Sequence, residues 1–346
     1  MIPQEFIDRM PFIVRPDNIA NYKDGVVSIL DRRVYPFKVE FVVCKSYEEV
    51  AVAIEQMVTQ SLGPAYAAGY GMVLAGLECK EKDYPEIMLA MKTAALRIIN
   101  TRPTNHEIRD TVNAMLAYLI DSFAMGNIDP EEIMIEFMNK MIERRHKTSL
   151  LLGRAGATIL KDGDTILTHC WPETTLIYTL MEAISQGKSL KAYTGETRPY
   201  LQGARLTAAA LKDLGIPVTV ITDNMPGFLL SQGKIDVFFA GSDRTTMDGH
   251  VINKVGTLQI AICAKEYGVP FYAFAYGPDP QALRPEDVVI EERNPEEVLS
   301  LRGIPTAAPG VFGYYPAFDI TPPKFITGII TDRGIFPPDK IRDYFL

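Results

Sequence analysis

The 346-residue sequence predicts an α/β protein in which a smaller domain of short β strands and helices precedes a doubly wound parallel-sheet domain. Two observations predict the sheet. Beyond about residue 160, short strand-like runs alternate with helical segments, as parallel strands joined by right-handed helical crossovers do. Gly215 and Gly268 stand where a helix must stop before the next strand, a common position for glycine. The length, about twice the ~150 residues expected for one domain, leaves room for a second domain.

The N-terminal part combines a small β element with helices. Strand-like runs occupy residues 26–30 and 38–43. Ser46 and Glu49 then have the spacing of a capping box, in which each side chain satisfies a free backbone amide at a helix start. This predicts a helix through residue 57, and helical periodicity continues to about residue 123.

A second helix start marks the domain boundary. Asp129 offers an N-cap carboxylate, Pro130 suits the first helical position, and two glutamates follow in the first turn. We expect this helix to reach about residue 154. The prediction is therefore an N-terminal domain at residues 1–128 and a Rossmann-like domain at residues 129–346.

The second domain alternates strands and helices. Its five predicted strands are residues 165–168, 190–194, 218–222, 236–240 and 269–275. Four helices are predicted between and after these strands. The first begins after residue 172, the second begins near residue 202, and the other two span residues 227–231 and 253–266. The proline-rich tail after residue 309 is predicted to be ordered irregular chain, because its aromatic side chains need burial.

Composition and charge exclude several classes of function. The 35 Lys and Arg against 43 Asp and Glu give a net charge of −8, which argues against a nucleic-acid-binding surface. No apolar run reaches the ~18 residues of a membrane span, and the N-terminus lacks a signal-peptide pattern, so a cytoplasmic protein is expected. The four cysteines form no CxxC pair, and no GxGxxG follows a strand, so neither zinc, disulfides nor a dinucleotide is expected.

Polar residues follow four of the predicted strands, where ligands bind in open parallel sheets. They are Cys170, Glu196, Asp223 and Asp243. Cysteine usually packs as a small apolar residue, but Cys170 stands before a helix start, which favours a thiolate or a bound anion. We expect His169 to orient a backbone loop, and Asp223 to cap the helix near residue 227. The cations that could hold a phosphate are Arg102, Arg198, Arg205 and Lys254.

Several motifs resemble those of the methylthioribose-1-phosphate isomerases, a superfamily that includes ribose-1,5-bisphosphate isomerases and regulatory subunits of eukaryotic initiation factor 2B. The most specific is Gly195-Glu196-Thr197-Arg198-Pro199 with the following Gln202-Gly203. The others are Thr168-His169-Cys170, Ile221-Thr222-Asp223-Asn224-Met225, Gly241-Ser242-Asp243-Arg244, Ile252-Asn253-Lys254-Val255-Gly256-Thr257, Leu30-Asp31-Arg32-Arg33, Tyr35-Pro36, Thr101-Arg102-Pro103-Thr104 and Pro316-Ala317-Phe318-Asp319-Ile320-Thr321-Pro322. The resemblance thus extends along the whole chain.

The resemblance implies an isomerase whose catalytic residues are Cys170 and Asp243. It also implies a homodimer that needs no cofactor and acts on a small-molecule sugar phosphate. The substrate-binding positions that it indicates are Ser61, Leu62, Gly63, Arg102, Gln202, Asn253 and Lys254. The regulatory subunits generally lack the complete cysteine and aspartate pair, so its retention favours catalysis.

The chain departs from the family pattern at two places. At the end of the first long helix, where the family has an Arg-Gly-Ala-Pro loop, this chain has Gln60-Ser61-Leu62-Gly63-Pro64, which lacks the arginine. The small residues that follow the family's cysteine are replaced by Trp171-Pro172-Glu173. The stretch from Cys170 to Gln202 is also shorter than in typical methylthioribose-phosphate enzymes and closer to the ribose-bisphosphate branch. The substrate is therefore open between 5-methylthioribose 1-phosphate, ribose 1,5-bisphosphate and a 5-deoxypentose 1-phosphate, and a non-catalytic ligand-sensing subunit is the alternative of another class.

The expected chemistry follows from the substrate. The anomeric ester of an aldose 1-phosphate locks the ring, so an acid must protonate the ring oxygen before hydrogen moves from C2 to C1, by proton relay or hydride shift. A buried Asp243 with a raised pKa would suit that acid, and Cys170 would be the base or a polar stabiliser. Trp171, Met225 and Phe228 are expected to exclude water. Neither route needs a metal or a nicotinamide.

Overall fold

The chain divides into two compact units, Met1–His146 and Lys147–Leu346, of which the computed structural model describes residues 2–102 and 106–346. Pro103 and Thr104 of the sequence motif lie outside the described residues. The division falls inside one long helix, Pro130–Ala157, whose first residue lies just beyond the boundary predicted after residue 128.

The first unit joins a three-stranded antiparallel sheet to a group of helices. The sheet has the order β1-β2-β3. In chain order the elements are α1 (Gln4–Arg9), α2 (Pro16–Ile19), β1 (Ala20–Lys23), β2 (Val26–Leu30), β3 (Phe41–Cys44), α3 (Tyr47–Glu55), α4 (Gly63–Cys79), α5 (Tyr84–Ile99), α6 (His106–Ala124) and α7 (Pro130–Ala157), which continues into the second unit.

Both predicted helix starts are confirmed. The Ser46 hydroxyl accepts a hydrogen bond of 3.2 Å from the Glu49 N–H at the start of α3. The predicted capping box forms only in this half, because the Glu49 carboxylate accepts the N–H of Lys45, at 2.6 Å, and not that of Ser46. At α7, the Asp129 carboxylate accepts the N–H groups of Glu131 at 2.9 Å and Glu132 at 3.2 Å. These side chains satisfy amides that have no partner within the helix.

Helix α4 is buried along nearly its whole length. Its glycines make room for neighbouring elements of the first unit. A Cβ at Gly69 would lie 2.2 Å from the sulfur of Met138, and one at Gly76 would lie 2.9 Å from the backbone carbonyl of Pro130. A helix that is apolar on every side belongs inside a core, and α4 forms the centre of the first unit's core.

The second unit is built on a seven-stranded sheet of order β15-β14-β10-β7-β4-β5-β6. Its elements are β4 (Thr165–His169), α8 (Thr174–Ser185), β5 (Lys191–Gly195), α9 (Ala208–Asp213), β6 (Val218–Ile221), α10 (Pro226–Ser231), β7 (Val237–Gly241), β8 (Arg244–Thr245), β9 (Val251–Lys254), α11 (Thr257–Glu266), β10 (Phe271–Phe274), β11 (Ser300–Leu301), β12 (Ile304–Pro305), β13 (Phe318–Thr321), β14 (Gly328–Thr331) and β15 (Gly334–Phe336). All strand pairs of the seven-stranded sheet are parallel except β14 with β15. The doubly wound α/β fold is confirmed.

Two elements of this unit differ from the prediction. The proline-rich tail contributes a further parallel strand, β14, which is buried at every position. The helix predicted from residue 253 begins only at Thr257, because residues 251–254 form β9 and pair with β13. Gly256, with φ of 107°, separates the strand from the helix.

Candidate active site

Cys170 and Asp243 lie at the carboxyl edge of the large sheet, where the strand order reverses. Cys170 directly follows β4, and Asp243 comes two residues after β7. These two strands are parallel neighbours, with His169 opposite Ala240. Strands β5 and β6 extend to one side of this pair, and β10 and β14 extend to the other. Ligands bind at such a switch point in doubly wound sheets, because the loops diverge there and leave a crevice.

Two threonines fix the backbone of Cys170. Its N–H donates to the Thr197 hydroxyl oxygen at 3.0 Å, and its carbonyl oxygen accepts a hydrogen bond from the Thr207 hydroxyl. Thr197 lies in the loop after β5, and Thr207 ends the π-helical turn that follows this loop. The cysteine is thus held at a defined place by the neighbouring loop.

The Cys170 thiol is protonated at neutral pH. Loss of hydration raises its pKa to about 11, and the Asp243 carboxylate also raises it. The Lys254 ammonium, a hydrogen bond from the Trp171 backbone and the Arg293 guanidinium act in the opposite direction but do not overcome burial. A protonated thiol is a weak donor, so this environment favours the polar stabiliser over the base among the two expected roles.

Asp223 holds the loop after β5. Its two carboxylate oxygens accept the N–H groups of Thr197 at 2.8 Å and Arg198 at 2.7 Å. The prediction that Asp223 caps the helix near residue 227 is therefore wrong, because α10 begins at Pro226 without a side-chain cap. The spacing alone could not show that the carboxylate would reach back to the preceding loop.

The backbone is strained around the predicted site. Eight non-glycine residues in the described part of the chain have positive φ, and five of them are predicted site residues or their close neighbours. These five are Ser61, Cys170, Glu173, Thr197 and Leu201, with φ between 56° and 64°. Left-handed backbone costs on the order of 1 kcal/mol or more at such residues and concentrates at functional sites.

His169 is confirmed as a residue that orients backbone. Its Nε2 donates to the carbonyl oxygen of Val255 at 2.9 Å. Burial lowers the pKa of His169, so the ring stays neutral and keeps this proton on Nε2. The hydrogen bond joins the end of β4 to the turn before α11, where a Cβ on Gly256 would lie 2.9 Å from the same imidazole nitrogen.

Asp243 is exposed, so the expectation of a buried carboxyl group is wrong for this structure. It lies on the rim beyond β7, and its backbone N–H donates a strand-like hydrogen bond of 2.9 Å to the Ile252 carbonyl. Met225 and Phe228 are also exposed, at 45% and 63%, and do not exclude water as expected. Trp171 is buried, at 5% exposed.

Three predicted binding residues of this unit are buried polar side chains. Asn253 donates from Nδ2 to the Thr257 hydroxyl at 2.9 Å. The Lys254 ammonium and Gln202 Oε1 have no hydrogen-bond partner within residues 2–102 and 106–346, although both residues are at most 6% exposed. Burial first, and then the Arg293 cation, lower the pKa of Lys254 to about 8. Buried polar groups without partners are unusual, and a polar ligand would satisfy these two.

The other predicted binding residues belong to the first unit. Ser61 is exposed, while Leu62 and Gly63 are buried at the start of α4. A Cβ on Gly63 would lie 1.8 Å from the Thr59 hydroxyl oxygen, so only glycine fits there. Arg102 is half-buried and follows the end of α5.

Sequence reasoning missed Arg293 and Tyr315 near this site. The Lys254 ammonium lies 5.7 Å from the Tyr315 ring, and Arg293 influences the charge of both Lys254 and Cys170. Neither residue follows a strand of the large sheet, so the rule used to find the other polar residues could not find these. The only signal was that the motif Pro316-Ala317-Phe318-Asp319 lies beside Tyr315.

Neither a metal-binding cluster nor a membrane-spanning helix is found in the part of the chain that the structure describes. It holds no group of three or more His, Cys, Asp or Glu side chains arranged to bind a metal ion. No helix in it combines the length and the apolar character needed to span a membrane.

Comparisons with known proteins agree along the chain. The model of the Initiation factor 2 subunit family matches residues 64–338. Methylthioribose-1-phosphate isomerase of Thermosipho melanesiensis is 38% identical over 326 residues, which cover 90% of this chain and 92% of that protein. The enzyme of the same name from Thermotoga neapolitana is 39% identical over 321 residues, with the same coverage.

Two solved structures are also similar. The 5-methylthioribose 1-phosphate isomerase of Pyrococcus horikoshii OT3 has 33% identity and a TM-score of 0.86, and covers 95% of both chains. The translation initiation factor eIF-2B subunit delta of A. fulgidus has 32% identity and a TM-score of 0.82, and covers 93% of this chain and 96% of that one. The chain therefore belongs to the Initiation factor 2 subunit family and, within it, to the methylthioribose-1-phosphate isomerases, which makes it an isomerase enzyme.

Proposed function

We propose that this enzyme converts 5-methylthioribose 1-phosphate to 5-methylthioribulose 1-phosphate without a cofactor, as a homodimer. One observation carries the proposal: Cys170 and Asp243 follow the two neighbouring strands at the switch point, and the charge of Lys254 acts on Cys170. This supplies a donor, an acid and a cation at one edge of the sheet. The relatives that bear the name of this enzyme support the choice of substrate.

Asp243 would protonate the ring oxygen and so open the locked sugar. Its carboxyl group is exposed without substrate. A sugar phosphate that fills the crevice would remove water from this carboxyl group, which raises the pKa of an aspartate and favours the protonated form. The acid would thus be prepared by binding, and not by burial in the empty enzyme.

Cys170 would stabilise oxygen charge as hydrogen moves from C2 to C1. Its protonated thiol can donate to an oxygen that becomes negative, and its fixed backbone keeps the sulfur in place. The Lys254 ammonium would hold the phosphate, which carries the negative charge of the substrate throughout the reaction. These roles apply to the proton relay and to the hydride shift alike.

A second candidate is a pentose 1-phosphate with another group at C5. Trp171 favours it, because the indole N–H is buried without a hydrogen-bond partner among the described residues and directly follows Cys170. An indole N–H in such a place suits a ligand with an acceptor, as the 5-phosphate of ribose 1,5-bisphosphate would be.

A panel of sugars tests the proposal. The enzyme would be incubated with 5-methylthioribose 1-phosphate, ribose 1,5-bisphosphate and 5-deoxyribose 1-phosphate, and ketose formation followed by NMR. We expect the methylthio sugar to give the highest kcat/KM. A clearly higher kcat/KM for another sugar would show that the proposed substrate is wrong. If no pentose 1-phosphate gave a ketose, the non-catalytic ligand-sensing function would be favoured instead.

Trp171 reports on the occupied crevice, because it is the only tryptophan of the chain. The indole belongs to neither apolar cluster of the second unit, although it is buried. We expect the correct sugar 1-phosphate to change the intrinsic fluorescence saturably, and Asp243→Asn to keep this response. Trp171→Ala should alter discrimination among C5 groups. A calorimetric binding signal without a fluorescence change, together with unaltered kinetics in Trp171→Ala, would place the indole outside the site.

A further inference from the structure

The Lys254 ammonium is buried beside aromatic rings. Lys254 is 4% exposed, and its Nζ lies 4.8 Å from the centre of the Phe318 ring and 5.7 Å from that of Tyr315. The first distance follows from the sheet register, because Lys254 on β9 stands opposite Phe318 on β13. The rings contribute a weak cation–π attraction, but no described group accepts a hydrogen bond from this ammonium.

Arg293 approaches the same ring. Its guanidinium lies 5.8 Å from the centre of the Phe318 ring and 5.6 Å from that of Tyr200. Unlike Lys254, it has a counter-ion: Nε donates to Glu291 Oε1 at 3.0 Å and Nη2 to Oε2 at 3.4 Å. The Arg293 side chain is only 11% exposed, so water screens this pair weakly.

Lys254 and Arg293 thus lie at the same Phe318 ring, and of these two cations Arg293 is the one bound to a carboxylate counter-ion, Glu291. Arg293 acts against the protonated form of Lys254, and Glu291 acts in its favour. Other groups whose charge also couples to that of Lys254 are Cys170, Asp243, His169 and Asp319. The Arg293–Glu291 pair differs from these because Arg293 lies at the same Phe318 ring as Lys254 and is bound to its own carboxylate, Glu291.

We propose that Arg293 and Glu291 are a positioning pair for Lys254: their ion pair packs at the Phe318 ring, against which the Lys254 ammonium lies, and so places that ammonium for the phosphate of the substrate. The inference rests on the proposed function only in naming that phosphate as the ligand. Arg293 need not touch the substrate, because its guanidinium is engaged by Glu291. The pair would make Lys254 sensitive to a dianion, whose charge offsets two neighbouring cations at once.

The test follows Lys254 directly. In protein labelled with 13Cε-lysine, the Lys254 signal is assigned by its loss in Lys254→Met, and its titration is followed by NMR without any ligand. We expect Arg293→Met to raise the titration midpoint of Lys254 by about one pH unit, and Glu291→Gln to lower it by a similar amount. Arg284→Met, which removes an exposed arginine of the same segment, should leave the midpoint unchanged.

Opposite shifts distinguish positioning from a general loss of structure, which would move both variants in one direction. Arg293→Lys keeps the charge and should keep the midpoint. If Arg293→Met does not fold, Arg293→Gln, which also removes the charge but keeps a polar side chain, replaces it and should raise the midpoint in the same way. The pH dependence of KM for the sugar phosphate should shift with the midpoint, with little change in kcat. An unmoved midpoint in Arg293→Met, or shifts of the same sign, would overturn the inference. Absence of turnover would overturn the proposed function alone, because the titration needs no substrate.

Discussion

Asp243→Asn is expected to lower kcat/KM by roughly 10²-fold or more, because an amide cannot supply the proton that opens the sugar ring. The fold should persist, since the side chain is exposed on the rim and the backbone bond to Ile252 does not involve it. Cys170→Ser is expected to lose most turnover too, because the hydroxyl is less acidic than the thiol and its shorter C–O bond places the donor farther from the substrate oxygen. Steady-state kinetics on the correct sugar 1-phosphate, with circular dichroism for the fold, measure both effects.

Matched controls exist for both substitutions. Asp339→Asn changes an exposed aspartate of the C-terminal 3-10 turn, and Cys263→Ser changes a half-buried free cysteine on α11. Both controls should keep activity near that of the unmodified enzyme. Near-full activity in Asp243→Asn or Cys170→Ser would show that the assigned role is wrong.

Lys254→Met is expected to weaken binding of the sugar phosphate by about 10- to 150-fold, the effect of losing a hydrogen bond to a charged group worth about 1.5–3 kcal/mol. Binding of the dephosphorylated sugar should change much less. The thermal midpoint should stay or rise, because the substitution removes a buried ammonium group that lacks a hydrogen-bond partner within the described chain. Arg102→Met should likewise weaken binding of the sugar phosphate much more than binding of the dephosphorylated sugar.

The pH dependence of binding gives an independent check. The Lys254 pKa of about 8 means that the ammonium is charged below this pH and neutral above it. Affinity for the sugar phosphate should therefore fall as pH rises through about 8, and Lys254→Met should lack this fall. Calorimetry between pH 6.5 and 9.5 would follow it, with Lys234→Met, an exposed lysine, as the control. If Lys254→Met weakened the binding of the sugar phosphate and of the dephosphorylated sugar equally, Lys254 would have a structural role instead of a phosphate-binding one.

Local signals in the sequence predicted most of the fold. The capping residues Ser46 and Asp129 act through bonds to amides within three residues, so their patterns are visible without the fold. Strand β14 and the strand before α11 were missed for the opposite reason. Their pairing partners β10 and β13 are distant in the chain, and cross-strand packing outweighs the local preference.

The candidate site shows the same limit. The positions of Cys170 and Asp243 could be predicted, because strand ends in a parallel sheet converge by topology. Two features could not be predicted: the exposure of Asp243, and the hydrogen bonds of Asp223 to the loop after β5. Both depend on where side chains lie once the strands are assembled. Arg293 joins the site from an irregular segment that no periodic pattern describes.

The burial of α4 has a consequence for how the loop at Ser61 behaves. Because nearly every residue of this helix is buried and an added Cβ at Gly69 or Gly76 would lie less than 3 Å from a neighbouring atom, we expect the helix not to open on its own. Its amides should exchange with deuterium only when the first unit unfolds as a whole. Leu62 and Gly63 are tied to the first turn of this slowly exchanging segment. The loop at Ser61, which stands where the family has its arginine loop, is therefore attached at its C-terminal end to the buried helix α4. We expect the core of the first unit to hold the left-handed backbone of Ser61 in place.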